Sequence, residues 1–330
     1  MPVSDLPRYP LAQLPTPLKR ALNLEAALGP TAPRIYIKRD DLTGLAFGGN
    51  KVRKLEFLLA DALDQGATTL ITEGAAQSNH ARATAAAAVV AGLRSVLVLD
   101  TRNGAEIVAN LLLDHLMGAE VRLVSSPTAR KPLMEDVASQ LARTGERAYI
   151  IPTGGSVPLG AAGYVAAVAE LQEQLAEVGE APVSLYAATG SFGTQAGLMA
   201  GARISGSSFT VTGVAVQPIT DTALAECSQL ATDTASLVGE SITFTPEDVV
   251  LIDGFHGDRY GAPTTAGRVA IELLARTEAV FLDPVYSGKA MAALLTHIGQ
   301  GKFSPDDAVV FLHTGGGPTV FTLEVTDPGT

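Results

Sequence analysis

Thr68-Thr69-Leu70-Ile71-Thr72, the alanine-rich run from Ser78 to Val90, and Ser95-Val96-Leu97-Val98-Leu99 read in that order as strand, helix and strand. The alternation continues outward from this unit. Downstream, Glu106 to Leu116 is helical in pattern, Val121 to Val124 and Ala148 to Ile151 are strand-like, and a helix falls between them near Met134 to Ala142. Beyond Gly154-Gly155 come a long helix near Ala161 to Val178, a strand at Val183 to Ala188, a helix from Thr194 and a strand at Thr210 to Val216. Val249 to Asp253, Val280 to Leu282 and Ala308 to Leu312 are the later strands expected, with helices near Thr265 to Ala275 and Gly288 to Ile298. Upstream, Arg34 to Lys38 is the first strand expected, and the proline-rich residues before it, with a helical pattern around Leu18 to Leu28, suggest an arm laid over a domain. Strands alternating with helices predict right-handed βαβ crossovers and parallel sheets, a doubly wound α/β protein. No internal repeat or flexible linker interrupts the pattern.

The chain has 330 residues, 47% of them hydrophobic and 17% charged, enough for a large core and about two domains. A net charge of -11 with no dense basic cluster argues against nucleic acid and anionic membranes, and leaves a small molecule as the expected partner. Cys227 is the only cysteine, so no intramolecular disulfide can form, and a reducing cytoplasm is expected. The five histidines show no paired ligand spacing, so no metal site is expected. Met-Pro-Val-Ser-Asp lacks signal-peptide character, and the longest apolar run, Ala83 to Leu93, falls short of the ~20 residues a bilayer requires.

Four turns share one pattern, an apolar strand followed by glycine or small polar residues and then a helix: Glu73 to His80, Pro152 to Gly160, Ala188 to Gly197 and His313 to Pro318. Ligands gather at such strand ends. In Ala188 to Gly197, Gly190 and Gly193 let backbone N–H groups converge while Ser191 and Thr194 add hydroxyls, which fits either a phosphate cradle or an ordinary strand-to-helix turn. In Gln77-Ser78-Asn79-His80 one residue suffices to cap the helix, and the remaining hydrogen-bonding groups suit a polar ligand.

Phe47-Gly48-Gly49-Asn50-Lys51-Val52-Arg53-Lys54 opens another helix. Two glycines allow a sharp turn, Asn50 is placed to cap, and Lys51 falls in the first turn, where the helix dipole favours the neutral, nucleophilic amine. By itself the segment fits either an imine-forming lysine or a solvated lysine beside Arg53 and Lys54. G-x-G-x-x-G, Walker A and G-x-S-x-G motifs are all missing, which removes support for dinucleotide, nucleoside triphosphate and serine hydrolase chemistry.

Taken together, Ile37-Lys38-Arg39-Asp40-Asp41-Leu42-Thr43, Gly48 to Lys51, Gln77 to His80, residues 189–194, Asp283-Pro284-Val285-Tyr286 and His313-Thr314-Gly315-Gly316 resemble the pyridoxal-phosphate-dependent D-cysteine desulfhydrase and 1-aminocyclopropane-1-carboxylate deaminase family. That family has the tryptophan synthase β-like fold. The resemblance implies a large domain of residues 1–47 plus 161–330, a small inserted domain of 48–160, pyridoxal 5'-phosphate between them, and a homodimer. It implies Lys51 as the Schiff-base lysine, with Ser78, Tyr260 and Tyr286 as further catalytic residues. Asn79 is expected on the pyridoxal 3-hydroxyl and Thr189, Gly190, Ser191, Phe192, Gly193 and Thr194 on the phosphate, with Asn50 also binding cofactor. At the pyridine nitrogen the deaminase branch carries a glutamate after the tyrosine, whereas here Ser287 follows Tyr286; a hydroxyl partner, Ser287 or Thr314, suits β-elimination. The activity implied is conversion of D-cysteine to pyruvate, hydrogen sulfide and ammonia. L-cysteate sulfo-lyase, 1-aminocyclopropane-1-carboxylate deaminase and a non-catalytic cofactor-binding protein are the alternatives. Arg259 is the one cation near these motifs considered able to reach a sulfonate.

Overall fold

Strands and helices alternate along almost the whole of the described chain, residues 1–323 of a computed structural model. In order they are β1 (Leu18–Arg20), α1 (Leu22–Leu28), β2 (Arg34–Lys38), α2 (Asn50–Asp64), β3 (Thr69–Ala75), α3 (Asn79–Ala91) and β4 (Arg94–Asp100). Next come α4 (Ala109–Leu116), β5 (Glu120–Val124), α5 (Arg130–Arg143), β6 (Ala148–Ile151), α6 (Pro158–Val178), β7 (Ser184–Thr189), α7 (Gly193–Ile204) and β8 (Thr210–Ala215). The series ends with α8 (Ala223–Leu237), β9 (Val250–Ile252), α9 (Thr265–Glu278), α10 (Ser287–Gly299) and β10 (Ala308–Leu312).

Two sheets result. A four-stranded parallel sheet runs in the order β5-β4-β3-β6, and a six-stranded sheet in the order β1-β2-β10-β7-β8-β9. In the larger sheet only β1 is antiparallel to its neighbour. Parallel strands must be covered on both faces. Leu185, Ala187 and Val310 accordingly pack with α6, α7 and α8, while Tyr186, Ala188, Val309 and Phe311 pack with α1, α9 and α10. In the smaller sheet Leu97 and Leu99 meet α3 and α4, and Val96 and Val98 meet α5. The fold is the α/β, doubly wound architecture expected.

Two local expectations fail for tertiary reasons, and one helix is unexpected. Leu18 to Leu28 divides into an edge strand paired with β2 and a short helix. Val280 to Leu282 has no strand partner among the described residues; Val280 and Leu282 are buried between α9 and α10 as the chain leaves Ala279, whose φ is +53°. Helix α8 is the unexpected one, in a stretch rich in serine and threonine whose Thr232 and Thr234 hydroxyls donate to carbonyls one turn earlier.

Helix α2 ties the two sheets together. Leu55, Leu58 and Leu59 pack with α3 and β3, while Phe57 packs against Ala162 of α6. Arg53, from the same helix, donates to both oxygens of Asp40 (2.8 Å each) and to Glu170 of α6 (2.9 Å). Asp40 also accepts from Tyr164 (2.6 Å) and Thr16 (2.8 Å), and Lys38 donates to Glu170 (2.5 Å). The Lys38-Arg39-Asp40-Asp41 motif is thus an anchor for the helix that carries Lys51. No helix among the described residues is long and apolar enough to cross a membrane.

Candidate active site

All four ligand-type turns open onto one cavity of about 350 Å³. It lies at the C-terminal ends of β3, β7 and β10, where parallel strands leave a crevice. Among its lining residues are Lys51, Lys54, Ser78, Asn79, His80, Gly154, Thr189 to Thr194, Tyr260, Tyr286 and Thr314.

Lys51 is set by the double-glycine turn. Gly48 (φ +62°) and Gly49 (φ +114°) are both left-handed, and a Cβ on Gly48 would lie 2.2 Å from the Asp41 carbonyl oxygen. Gly49 occupies the capping position with no side chain, so Asn50 does not cap the helix as expected. Its amide crosses to the other sheet and donates to Thr194 Oγ1 (2.9 Å). One residue further on, Lys51 Nζ has only a long contact to the Gly154 carbonyl (3.4 Å). Loss of hydration pulls its pKa from 10.5 down to about 8, and no carboxylate opposes the shift. A lysine poised this way offers a neutral amine near physiological pH.

Facing it is the turn between β7 and α7. Phe192 adopts φ +61°, and the first N–H groups of α7 have no partner inside the helix. A Cβ on Gly193 would sit 2.6 Å from both Lys54 Nζ and Ser156 Oγ, so only glycine fits. Lys54 is completely buried with its pKa well below the ordinary value, first through burial and then through Lys51. Thr189 Oγ1 is buried without a partner among the described residues. A helix N-terminus, the buried Lys54 amine and the hydroxyls of Ser191 and Thr194 together make a cradle for an anion.

Around the remaining wall, Ser78 caps α3 by accepting from Ala81 N–H (3.2 Å), which leaves its own hydrogen free to donate. A Cβ on Gly74 would fall 2.5 Å from Ser78, so glycine there admits the turn. His80 is buried and held neutral by loss of hydration and then by the two lysines; neither ring nitrogen has a partner among the described residues. Tyr260 and Tyr286 share a short hydroxyl–hydroxyl hydrogen bond, their rings edge to face at 6.0 Å, and burial raises both phenol pKa values. Thr314 lies in the turn where His313 Nδ1 accepts from Gly315 N–H (3.3 Å), leaving Nε2 to donate to the Phe281 carbonyl (3.0 Å).

Ser287 departs from expectation. It is fully buried, donates to Asp283 Oδ1 (2.5 Å) and accepts from Asp283 N–H (2.8 Å), which closes the turn before α10, and it does not line the cavity. Of the two hydroxyls, Thr314 alone lines the cavity. Arg259 also turns away, donating to Asn103 (2.6 Å). Two arginines that the sequence did not single out, Arg102 and Arg130, line the cavity instead. Arg102 pairs with Asp100 (3.0 Å) and lies over the Tyr260 ring; Arg130 pairs with Glu73 (3.3 Å). Lys54 was legible as the residue three after Lys51, hence on the same helix face, whereas nothing local marks Arg102 or Arg130.

Residues 9–315 match the family model for pyridoxal-phosphate dependent enzymes. The chain belongs to that family. As a pyridoxal-phosphate-dependent enzyme it is 40% identical over 329 residues to a D-cysteine desulfhydrase from Salmonella choleraesuis (strain SC-B67), covering 97% of this chain and 98% of the relative. It is 41% identical over 330 residues to the D-cysteine desulfhydrase of Salmonella schwarzengrund (strain CVM19633), with the same coverage. A crystal structure of an ACC deaminase homologue superposes with a TM-score of 0.88 at 36% identity, over 96% of this chain and 94% of the other. A pyridoxal 5'-phosphate-dependent aspartate racemase (TM-score 0.69, 17% identity, 94% and 93% coverage) shares the fold.

The side chains that line the cavity fit this cofactor: a lysine amine of lowered pKa, an anion cradle, a neutral hydroxyl and the Asn79 amide. Thr194→Ala removes one cradle hydroxyl and should weaken cofactor binding to the apoprotein by about 1–2 kcal/mol, the scale of a hydrogen bond to a charged group. Fluorescence titration of the apoprotein measures this. An unchanged Kd would remove Thr194 from the cradle.

Proposed function

We propose that this enzyme is a β-eliminating lyase that converts D-cysteine to pyruvate, hydrogen sulfide and ammonia. The observation that carries the reading is the meeting, in one cavity, of the Lys51 amine, Ser78 and the Tyr260–Tyr286 pair, in a chain that matches D-cysteine desulfhydrases over nearly its whole length.

Pyridoxal phosphate, when bound, supplies an electron sink for negative charge developing at the substrate's α-carbon. The chain's own groups supply binding and proton transfer. Lys51 would hold the cofactor, and its Nζ is the base that would take the substrate's α-proton; a pKa of about 8 keeps a useful fraction neutral at physiological pH. Ser78 Oγ, accepting from Ala81 N–H, donates its hydrogen toward the substrate. The two tyrosines keep their protons, because burial raises both phenol pKa values, and hold one at the leaving sulfur. Lys54 and residues Thr189 to Thr194 would anchor the cofactor's phosphate, and Thr314 would be the neutral hydroxyl facing its ring nitrogen.

D-cysteine should be turned over with a higher kcat/KM than L-cysteate or 1-aminocyclopropane-1-carboxylate. A sulfonate needs an uncommitted cation. Arg102 and Arg130 line the cavity, but each already faces a carboxylate, Asp100 or Glu73. The cyclopropane substrate is disfavoured because Ser287 stands where the deaminase branch carries a glutamate, which leaves the neutral Thr314 hydroxyl on the cavity wall. Pyruvate assays on the three compounds, with sulfide and sulfite measured separately, decide the matter. Sulfite release at the higher kcat/KM would make the enzyme a sulfo-lyase acting through Arg102 and Arg130.

The small-domain and large-domain division at 48–160, the homodimer and a cytoplasmic setting complete the proposal. Family resemblance supports the first two, and a lone buried cysteine supports the third. A monomer mass of 34.0 kDa by light scattering would exclude the dimer.

A further inference from the structure

We infer that Asn110 is a positioning residue for the reaction, one that fixes the orientation of the Asn79 amide so that its nitrogen is presented to an oxygen on the cofactor ring. This rests on the site reading above, in which Asn79 meets the cofactor.

Asn110 is the second residue of α4, fully buried, and part of the helix that packs beside α3. Its backbone N–H donates to Gln77 Oε1 (2.9 Å), and its Nδ2 donates both to the Gln77 carbonyl (2.9 Å) and to Asn79 Oδ1 (2.8 Å). The oxygen and nitrogen of a side-chain amide are told apart by their partners, and here two backbone groups settle the order. A carbonyl can only accept, so the Asn110 atom facing Gln77 is nitrogen. That nitrogen can only donate, so the Asn79 atom facing it is oxygen. Gln77 is fixed in the same way: its Oε1 faces an N–H, and its Nε2 donates to the Glu106 and Val108 carbonyls (3.3 and 3.0 Å).

Asn79 Nδ2 is thereby left on the other side of the amide, without a hydrogen bond to any described residue, on a side chain that lines the cavity. Reversing Asn79 would set two NH₂ groups against each other. The site therefore offers a donor and withholds an acceptor, which favours a deprotonated ring oxygen. Ser78 or Asn79 alone would satisfy helix capping; a network ordering three amides goes beyond that need.

Asn110→Ala frees the Asn79 amide to rotate. The visible absorbance of the bound cofactor should then titrate at higher pH than in the wild type, because the anionic ring oxygen loses its fixed donor, and kcat should fall roughly tenfold, as when partners that orient metal ligands are removed. Asn110→Asp, which keeps the volume but cannot supply both donors, should shift the titration in the same direction and serves if the alanine variant fails to fold. Asn79→Ala should shift it as well, and Asn79→Ala with Asn110→Ala together should titrate where Asn79→Ala alone does. A merely structural role would lower the melting temperature of the Asn110 variants and leave the titration in place. Shifts in Asn79→Ala but in neither Asn110 variant would overturn the positioning role alone. No shift in Asn79→Ala would overturn the placement of Asn79 at the cofactor, and the inference with it.

Discussion

Lys51→Ala should leave a folded protein that lacks the absorption band of the lysine Schiff base when pyridoxal phosphate is added, and should lower kcat/KM by roughly 10²–10⁴-fold through loss of the base alone. Of the lysines lining the cavity, Lys51 has a single long hydrogen bond, to Gly154, and no partner that would hold its proton. Lys54, three residues on, is the stringent control, since it too is buried and lines the cavity. Borohydride reduction followed by peptide mapping should place the pyridoxyl group on Lys51, and finding it on Lys54 or Lys289 would overturn the assignment. Two pH dependences follow from a pKa lowered to about 8 from 10.5. Cofactor capture by the apoprotein needs the neutral amine, so its rate should rise as pH increases through about 8 and level off above it. For stability, the folded amine binds its proton less tightly than the unfolded one, so the cost of burying it is full below about pH 8 and fades as pH rises toward 10.5. The stability of Lys51→Ala apoprotein relative to wild type should accordingly be greatest below pH 8 and decline above it.

Asp40→Ala should cost about 3–5 kcal/mol, because it leaves the Arg53 guanidinium buried against Glu170 without its main counter-charge. Burial by itself would raise the Asp40 pKa, but the charge and hydrogen bonds of Arg53, with those of Tyr164 and Thr16, outweigh it and hold the carboxyl below its ordinary 3.8. A depressed carboxyl pKa stabilises the fold above 3.8 and loses that contribution as pH falls through the lower, folded-state value. Urea denaturation of wild type and variant should therefore differ most near neutral pH and converge in acid. A difference under about 1 kcal/mol at pH 7 would show that Glu170 alone suffices for Arg53. Arg53 stands two residues from Lys51, so the variant should also bind cofactor less tightly.

Local sequence determined the alternation of strands and helices, the double-glycine entry to α2 with Lys51 in its first turn, and the four turns that open onto the cavity. These are short-range consequences: β-branched runs, alanine-rich helices and glycines at left-handed φ act within a few residues of themselves. Tertiary structure decided which side chains converge. Arg102 and Arg130 enter the cavity wall because β4 ends and α5 begins there, and no pattern around them announces it. Ser287 reads as an equal of Thr314 in sequence, yet the turn at Asp283 withdraws it into the core. Val280 to Leu282 has the composition of a strand but finds no neighbour to pair with among the described residues, and Asn110 acquires its partners only because α4 packs beside the turn that starts α3. Hydrogen-bond partners and cavity walls come from residues tens to more than a hundred positions apart, and only packing of the two sheets through α2 and α6 selects among them.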